Sequence, residues 1–189
     1  MLPELLIIGL IIAWLSGGKL DRLADLRIRC GWVLILAVAL SFTSWAFRFS
    51  PTLKEMHWLA GIVQMAEKFA FLGFVLANLR IAGARLVIVG MVTNLLALSV
   101  NGGLMPASAR AVAFVFGKKA ATMPIHNSLM DAGTRLAFLC DIIPMRWPYA
   151  LLPEICSIGD ILITLGIVVA IIVGMRAPSP KETKTPAEA

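Results

Sequence analysis

The sequence predicts an all-α polytopic membrane protein, with five transmembrane helices and short re-entrant or interfacial helices between spans four and five. Three observations lead there. Hydrophobic residues make up 59% of the 189, and the mean hydropathy is +0.88. Charged residues make up only 15%, against ~25% in soluble domains. The apolar runs approach span length and are separated by short basic or Pro-containing turns. Such a chain cannot hide its apolar surface in one soluble core, so the bilayer is the expected solvent. The net charge of +6 comes from basic residues flanking the apolar runs. No basic patch is interleaved with aromatics, so nucleic acid is not an expected partner; membrane lipids are. The expected organisation is one membrane domain over 1–175 and a disordered cytoplasmic tail over 176–189, rich in Pro, Lys, Glu and Thr.

The elements follow in order. Span one covers about 2–18, apolar except Glu4 and ending at Ser16-Gly17-Gly18. A signal peptide would begin with a basic region, and this one begins with an acid. Lys19–Arg29 is a solvated turn or short interfacial helix. Span two covers 30–47, with Trp32, Trp45 and Phe47 as interface anchors. Ser50-Pro51 stops it, because the residue before proline disfavours the helical region. Span three covers 58–79 and carries Gln64, Glu67 and Lys68 on one face by helical spacing. A charge at that depth costs at least ~2.5–3.5 kcal/mol unless paired. That face should therefore point inward, either as a proton- or ligand-handling site or as a polar clamp to Asn94 or Ser99. Span four covers 86–101, with Asn94 and Asn101 on one stripe.

The outward segment 102–154 contains two short predicted helices, Ala107–Phe116 opened by Pro106 and Asn127–Asp141 capped by Asn127. Neither is long enough to cross a bilayer. Span five covers 155–175, with Asp160 in its first turn. Lys and Arg concentrate in the turns after spans one and three and in the tail, while the turn between spans two and three carries only Arg48 and Lys54. The positive-inside rule then puts the N-terminus outside, the C-terminus in the cytoplasm and 102–154 outside the plasma membrane.

Two aspartates, Asp141 and Asp160, stand 19 positions apart at the lips of apolar segments. If the chain between them folds back, they become a carboxylate pair able to share a proton and activate water. The plainer reading is an N-cap for Asp160 and a turn, or a salt bridge to Arg135 or Arg146, for Asp141. Asn101-Gly102-Gly103 is either a helix stop or a loop where glycines leave room for a ligand. His126 with Asp131 or Asp141 lacks any metal-binding spacing, so no metal and no cofactor are expected. Cys30, Cys140 and Cys156 show no metal-binding spacing either. They read as apolar packing residues, with a Cys140–Cys156 disulfide as the alternative.

Two resemblances rest on these residues. The basic first turn, the Asn-Gly-Gly-x-Met-Pro loop, the Asp-Ile-Ile-Pro turn and the Ser-x-Gly-Asp helix start together resemble an uncharacterised family of small bacterial integral membrane proteins, a domain of unknown function. The likeness covers roughly residues 1–175 and implies a polytopic helical protein with no known activity. Locally, Asp141 and the run Asp160-Ile161-Leu162-Ile163-Thr164-Leu165-Gly166 are similar to the catalytic end of the lipoprotein signal peptidases. That likeness implies Asp141 and Asp160 as a catalytic dyad and Asn101 as a substrate-contacting residue. The Gly-Asn-x-x-Asp-Arg element of those peptidases is absent here. The expected function is a membrane-embedded binding or transport-accessory protein. Its outward polar site would be lined by Asn101, Gly102, Gly103, His126, Arg135, Asp141 and Asp160 and would take a lipid-linked or small hydrophobic ligand. The alternative is an aspartyl membrane hydrolase acting on a lipid-linked substrate.

Overall fold

Five long helices carry the chain back and forth, and a small irregular cap closes one end. The structure is a computed structural model, describing residues 2–49, 57–117, 129–147, 150 and 152–178. The elements are α1 (Leu2–Leu15), α2 (Asp21–Ala24), α3 (Gly31–Phe49), α4 (His57–Ala77), α5 (Ala84–Val100), α6 (Ala109–Phe116), β1 (Ile143–Met145), β2 (Glu154–Cys156) and α7 (Ile158–Arg176). The five long helices coincide with the five apolar runs to within three residues at each end. Of the described helices, α7 alone is long and apolar enough to cross a membrane by length and composition. The apolar parts of α1, α3 and α5 are shorter.

The long helices stand in a row: α1 against α7, α7 against α5, α5 against α4, and α4 against α3. Their directions follow from particular contacts. Gly83 faces Gly166 and Gly90 faces Gly159, so α5 and α7 are antiparallel. Gly9 meets Val168 and Gly18 meets Met175, so α1 and α7 are parallel. Val75 packs with Ala84 and Val87, while Gly61 lies against Gly102 and Gly103 beyond the far end of α5. Hence α4 and α5 are antiparallel. The Asn78 side chain, just past α4, bonds the backbone of Arg29, just before α3, so these two are antiparallel as well. Along the chain the direction therefore alternates from each long helix to the next.

The α5–α7 contact is made through backbone. A Cβ added at Gly90 would run into the Gly159 carbonyl, and one at Gly83 into the carbonyl of Gly166. Glycines spaced by seven on each helix let the two approach this closely, as small residues do between membrane helices. The two helices are staggered: α7 opens at Ile158, beside the middle of α5, and the end of α5 is covered by the cap instead. There Ala97, Leu98, Met105 and Cys140 form a buried cluster joined by Met65, Met130 and Leu139. A second cluster, Val75, Ala84, Val87 and Met91, gathers Phe71, Phe74, Ile163 and Ile167.

The cap departs from the two-helix expectation. Its first predicted helix is present as α6, starting at Ala109 rather than Ala107. The second is not: over 129–141 the chain makes turns, one 3₁₀ turn (Ala137–Leu139) and isolated bridges, while Asn127 lies outside the described residues. The cause is local. The Asp131 carboxylate accepts from the Gly133 amide at 2.8 Å, and Thr134 Oγ1 accepts from the Asp131 amide at 2.9 Å. These side chains satisfy backbone donors in a turn and so compete with a helix. Leu136 then takes φ +50. Ala107, fully buried, bridges both Leu129 and Asp141. The antiparallel pair β1–β2, with Pro144 opposite Ile155, takes up the first residues assigned to span five.

Candidate functional site

The best-connected polar group lies where α7 begins. Ser157 is the N-cap: its Oγ accepts from the Asp160 amide at 3.0 Å, and the Asp160 carboxylate accepts from the Ser157 amide at 3.0 Å. This reciprocal capping box is written in the sequence as Ser-x-x-Asp. Asn94, from the middle of α5, joins it: Nδ2 donates to Asp160 Oδ1 at 2.8 Å, and Oδ1 accepts from Ser157 Oγ at 2.8 Å. Asn94 and Ser157 are buried. Thr164, also buried, donates to the Asp160 carbonyl at 2.7 Å. Gly159 packs on Asn94 because it lacks a side chain. Both carboxylate oxygens of Asp160 are thus engaged, Oδ1 in holding α7 to α5 and Oδ2 in closing the cap of α7.

Asp141 sits elsewhere, in the cap. Its backbone bonds run to Pro106 and Ser108 at 3.0 and 2.9 Å, and the residue is buried. The Asp141 backbone is thus tied into the cap, while the Asp160 carboxylate is bonded to Asn94 and to the Ser157 amide. Both lie near Cys156. Its thiol is raised above its ordinary range by burial first, then by Glu154 and Asp160, with a smaller contribution from Asp141. Burial, and next Asp141, raise the Cys140 thiol in the same sense. All three cysteines are free, and only Cys30 is exposed.

Asn101 serves the cap rather than an open site. Its Nδ2 donates to the Arg135 carbonyl at 2.8 Å and to Ala97 at 2.7 Å, while its Oδ1 accepts from the Arg135 amide at 2.9 Å. Of Arg135, it is the backbone that is held; the residue is exposed. Gly103, at φ +82, packs on Gly61, so helix α4 fills the room that the glycines leave. Gly102 is exposed, at φ +70. Asn78 repeats the Asn101 device, bonding both the amide and the carbonyl of Arg29 at 2.8 and 2.9 Å. Sequence reasoning missed it, since nothing in Leu-Ala-Asn-Leu-Arg marks the asparagine as more than a helix end. On the cap surface the Arg146 guanidinium lies 4.8 Å from the Phe114 ring centre and donates to the Phe114 carbonyl at 2.9 Å.

The polar face of α4 differs from expectation. Lys68 pairs with its neighbour Glu67 at 3.1 Å, and both are partly accessible. Asn94 and Ser99, the expected partners, turn elsewhere: Asn94 to α7, and Ser99 to the Leu95 carbonyl. Gln64 is half-buried on the same face. His126 lies outside the described residues, and among the described residues no group of three His, Cys, Asp or Glu side chains is placed to hold a metal ion.

Residues 25–172 match a protein family described as a family of unknown function, DUF5317. The chain belongs to that family. The DUF5317 match takes in α3 to α6, the cap and most of α7, with Asn78, Asn94, Asn101, Ser157 and Asp160 all inside it; α1 and α2 lie before it. No curated protein and no solved structure matches the chain.

Proposed function

We propose that this member of DUF5317 is an integral membrane protein whose five long helices all lie in the bilayer, with the N-terminus outside and the C-terminus in the cytoplasm. The cap over 102–157 is then an outward binding surface. The observation that carries this reading is the alternation of helix direction. It groups Lys19, Arg22, Arg27, Arg29, Arg80, Arg85 and Arg176 with the finishing ends of α1, α4 and α7 and the starting ends of α3 and α5. The outer surface of the row supports it. Ile7, Ile8, Ile11, Ile12, Trp14 and Leu15 of α1, and Trp32, Ile35 and Phe42 of α3, are all about half exposed or more. Apolar exposure on this scale suits lipid and not water.

The role that fits the cap is non-catalytic binding of a lipid-linked or small hydrophobic ligand. Asn101 and Asp160 are occupied in holding the cap and α7, which leaves the exposed Phe114, Phe138, Trp147, Arg135 and Arg146 to meet a ligand. The native thiols provide the test, because only Cys30 is exposed and it lies at the basic end. In cells expressing the chain, a membrane-impermeant maleimide should leave Cys30 unlabelled until inside-out vesicles are prepared. Equal labelling in intact cells would overturn the orientation. Release of the chain from membranes by alkaline carbonate would overturn the membrane reading itself.

A further inference from the structure

We propose that Arg27, Arg29, Arg80 and Arg85 form a binding site for the phosphate group of an anionic phospholipid, organised around Asn78. The proposal rests on the membrane reading above and adds a ligand to it. Arg27 and Arg29 come from the connection 27–30 before α3 and Arg80 from the connection 78–83 before α5, and the Asn78 side chain ties the two connections together through the amide and carbonyl of Arg29. Arg80 follows the clamp by two residues, and Arg85 lies in the first turn of α5. All four are exposed, and among the described residues none makes an ion pair. The Asn78 clamp thus brings together two exposed basic connections that are far apart in sequence, with no carboxylate paired to their guanidinium groups among the described residues.

Two further features point to phosphate. Gly83, at φ +82, is the N-cap of α5 and lies against Gly166 of α7, so the arginine side chains and not the helix end carry the site. Arg80 and Arg85 flank this turn and are exposed. Arginine adds planar, two-pronged donation to phosphate oxygens, which lysine cannot supply. Ile28 and Leu79, each next to two of the sequence positions concerned, are 53% and 51% exposed. Apolar side chains standing out beside the cations suit a lipid whose acyl chains lie alongside, and do not suit a free ion. A basic cluster at the cytoplasmic border of membrane helices is a common footprint of anionic lipid.

The test uses the full chain in nanodiscs of phosphatidylcholine alone, or with about 30% phosphatidylglycerol. Anionic lipid should raise the Tm of the wild type by at least about 3 °C, a rise expected of a bound ligand. The variant R27Q/R29Q/R80Q/R85Q should lose that rise while keeping its Tm in phosphatidylcholine, and R135Q/R146Q in the cap should retain it. If the quadruple variant does not fold, R80Q/R85Q alone should lose at least half of the rise. An undiminished rise in the arginine variants would overturn the proposal. An equal rise on adding inorganic phosphate to phosphatidylcholine discs would overturn the lipid assignment. Carbonate extraction of the wild type reports separately on the membrane reading, so its failure and the failure of this site are told apart.

Discussion

At Asp160 one carboxylate satisfies a buried asparagine amide and the backbone amide of its own N-cap, at 2.8 and 3.0 Å. Removing either partner strands buried polar groups, which typically costs about 1–3 kcal/mol for each group left unsatisfied. Asp160→Ala and Asn94→Ala should therefore each lower the Tm in detergent by several degrees. The double variant should fall well short of the sum, because both changes break the same bonds. A structural Asp160 also sets the expectation for Asp141→Asn: the folded chain should retain whatever ligand binding the wild type shows. Loss of turnover of a lipid-linked substrate at unchanged Tm would instead favour the hydrolase. At Cys140 the thiol is raised by burial and by Asp141. Its folded value lies above its unfolded one, so its contribution to stability is complete below the unfolded value. That contribution is lost as pH rises through the ordinary thiol range toward the folded value. Between pH 7 and pH 10 the wild type should lose more Tm than Cys140→Ala does.

Among the elements, the α5–α7 joint depends on the absence of side chains. A Cβ at Gly159 would lie 2.6 Å from the Gly90 carbonyl and closer still to the Asn94 side-chain oxygen. Backbone cannot yield as a flexible side chain can, so Gly159→Ala should cost about 2 kcal/mol or more. Gly73→Ala on α4, where nothing lies within 4 Å, should be neutral or slightly stabilising, since alanine favours a helix over glycine. The comparison is read as two Tm values under one condition. Helix existence was legible because runs such as Ile158–Gly174 are continuous and bounded by caps or glycines. The partner of each polar residue was not legible. The sequence offers Asn94 or Ser99 as a clamp for the polar face of α4, since sequence neighbours are the first guess for packing, whereas the partner of Asn94 is 66 positions away. The predicted helix over 127–141 failed at Asp131-Ala132-Gly133-Thr134, where an aspartate turn outweighs weak apolar spacing. The pair β1–β2 was hidden because three-residue strands leave too short a pattern to recognise.

On the scale of the whole molecule, the row α1–α7–α5–α4–α3 departs from chain order at one point: α7 lies between α1 and α5. The half of α7 near Ser157 meets α5, and the half near Met175 meets α1, where the Lys19 amide donates to the Met175 carbonyl at 2.9 Å. The helix α7, synthesised after the other four long helices described, is thus the one that joins α1 to the rest. Until it arrives, α1 lacks the long helix it packs against most among the described residues, and the Asn94 side chain lacks its α7 partners. A chain stopped before Ile158 therefore presents two unjoined pieces, with a bare polar group on one of them. Quality-control proteases can recognise such features, and the truncated chain should turn over faster than the 189-residue chain in a pulse-chase. Co-expressing residues 150–178 as a separate segment should slow that loss, and a segment carrying Gly159→Leu should not. Arrival of α7 is thereby signalled by burial of Asn94, long after that residue has left the ribosome.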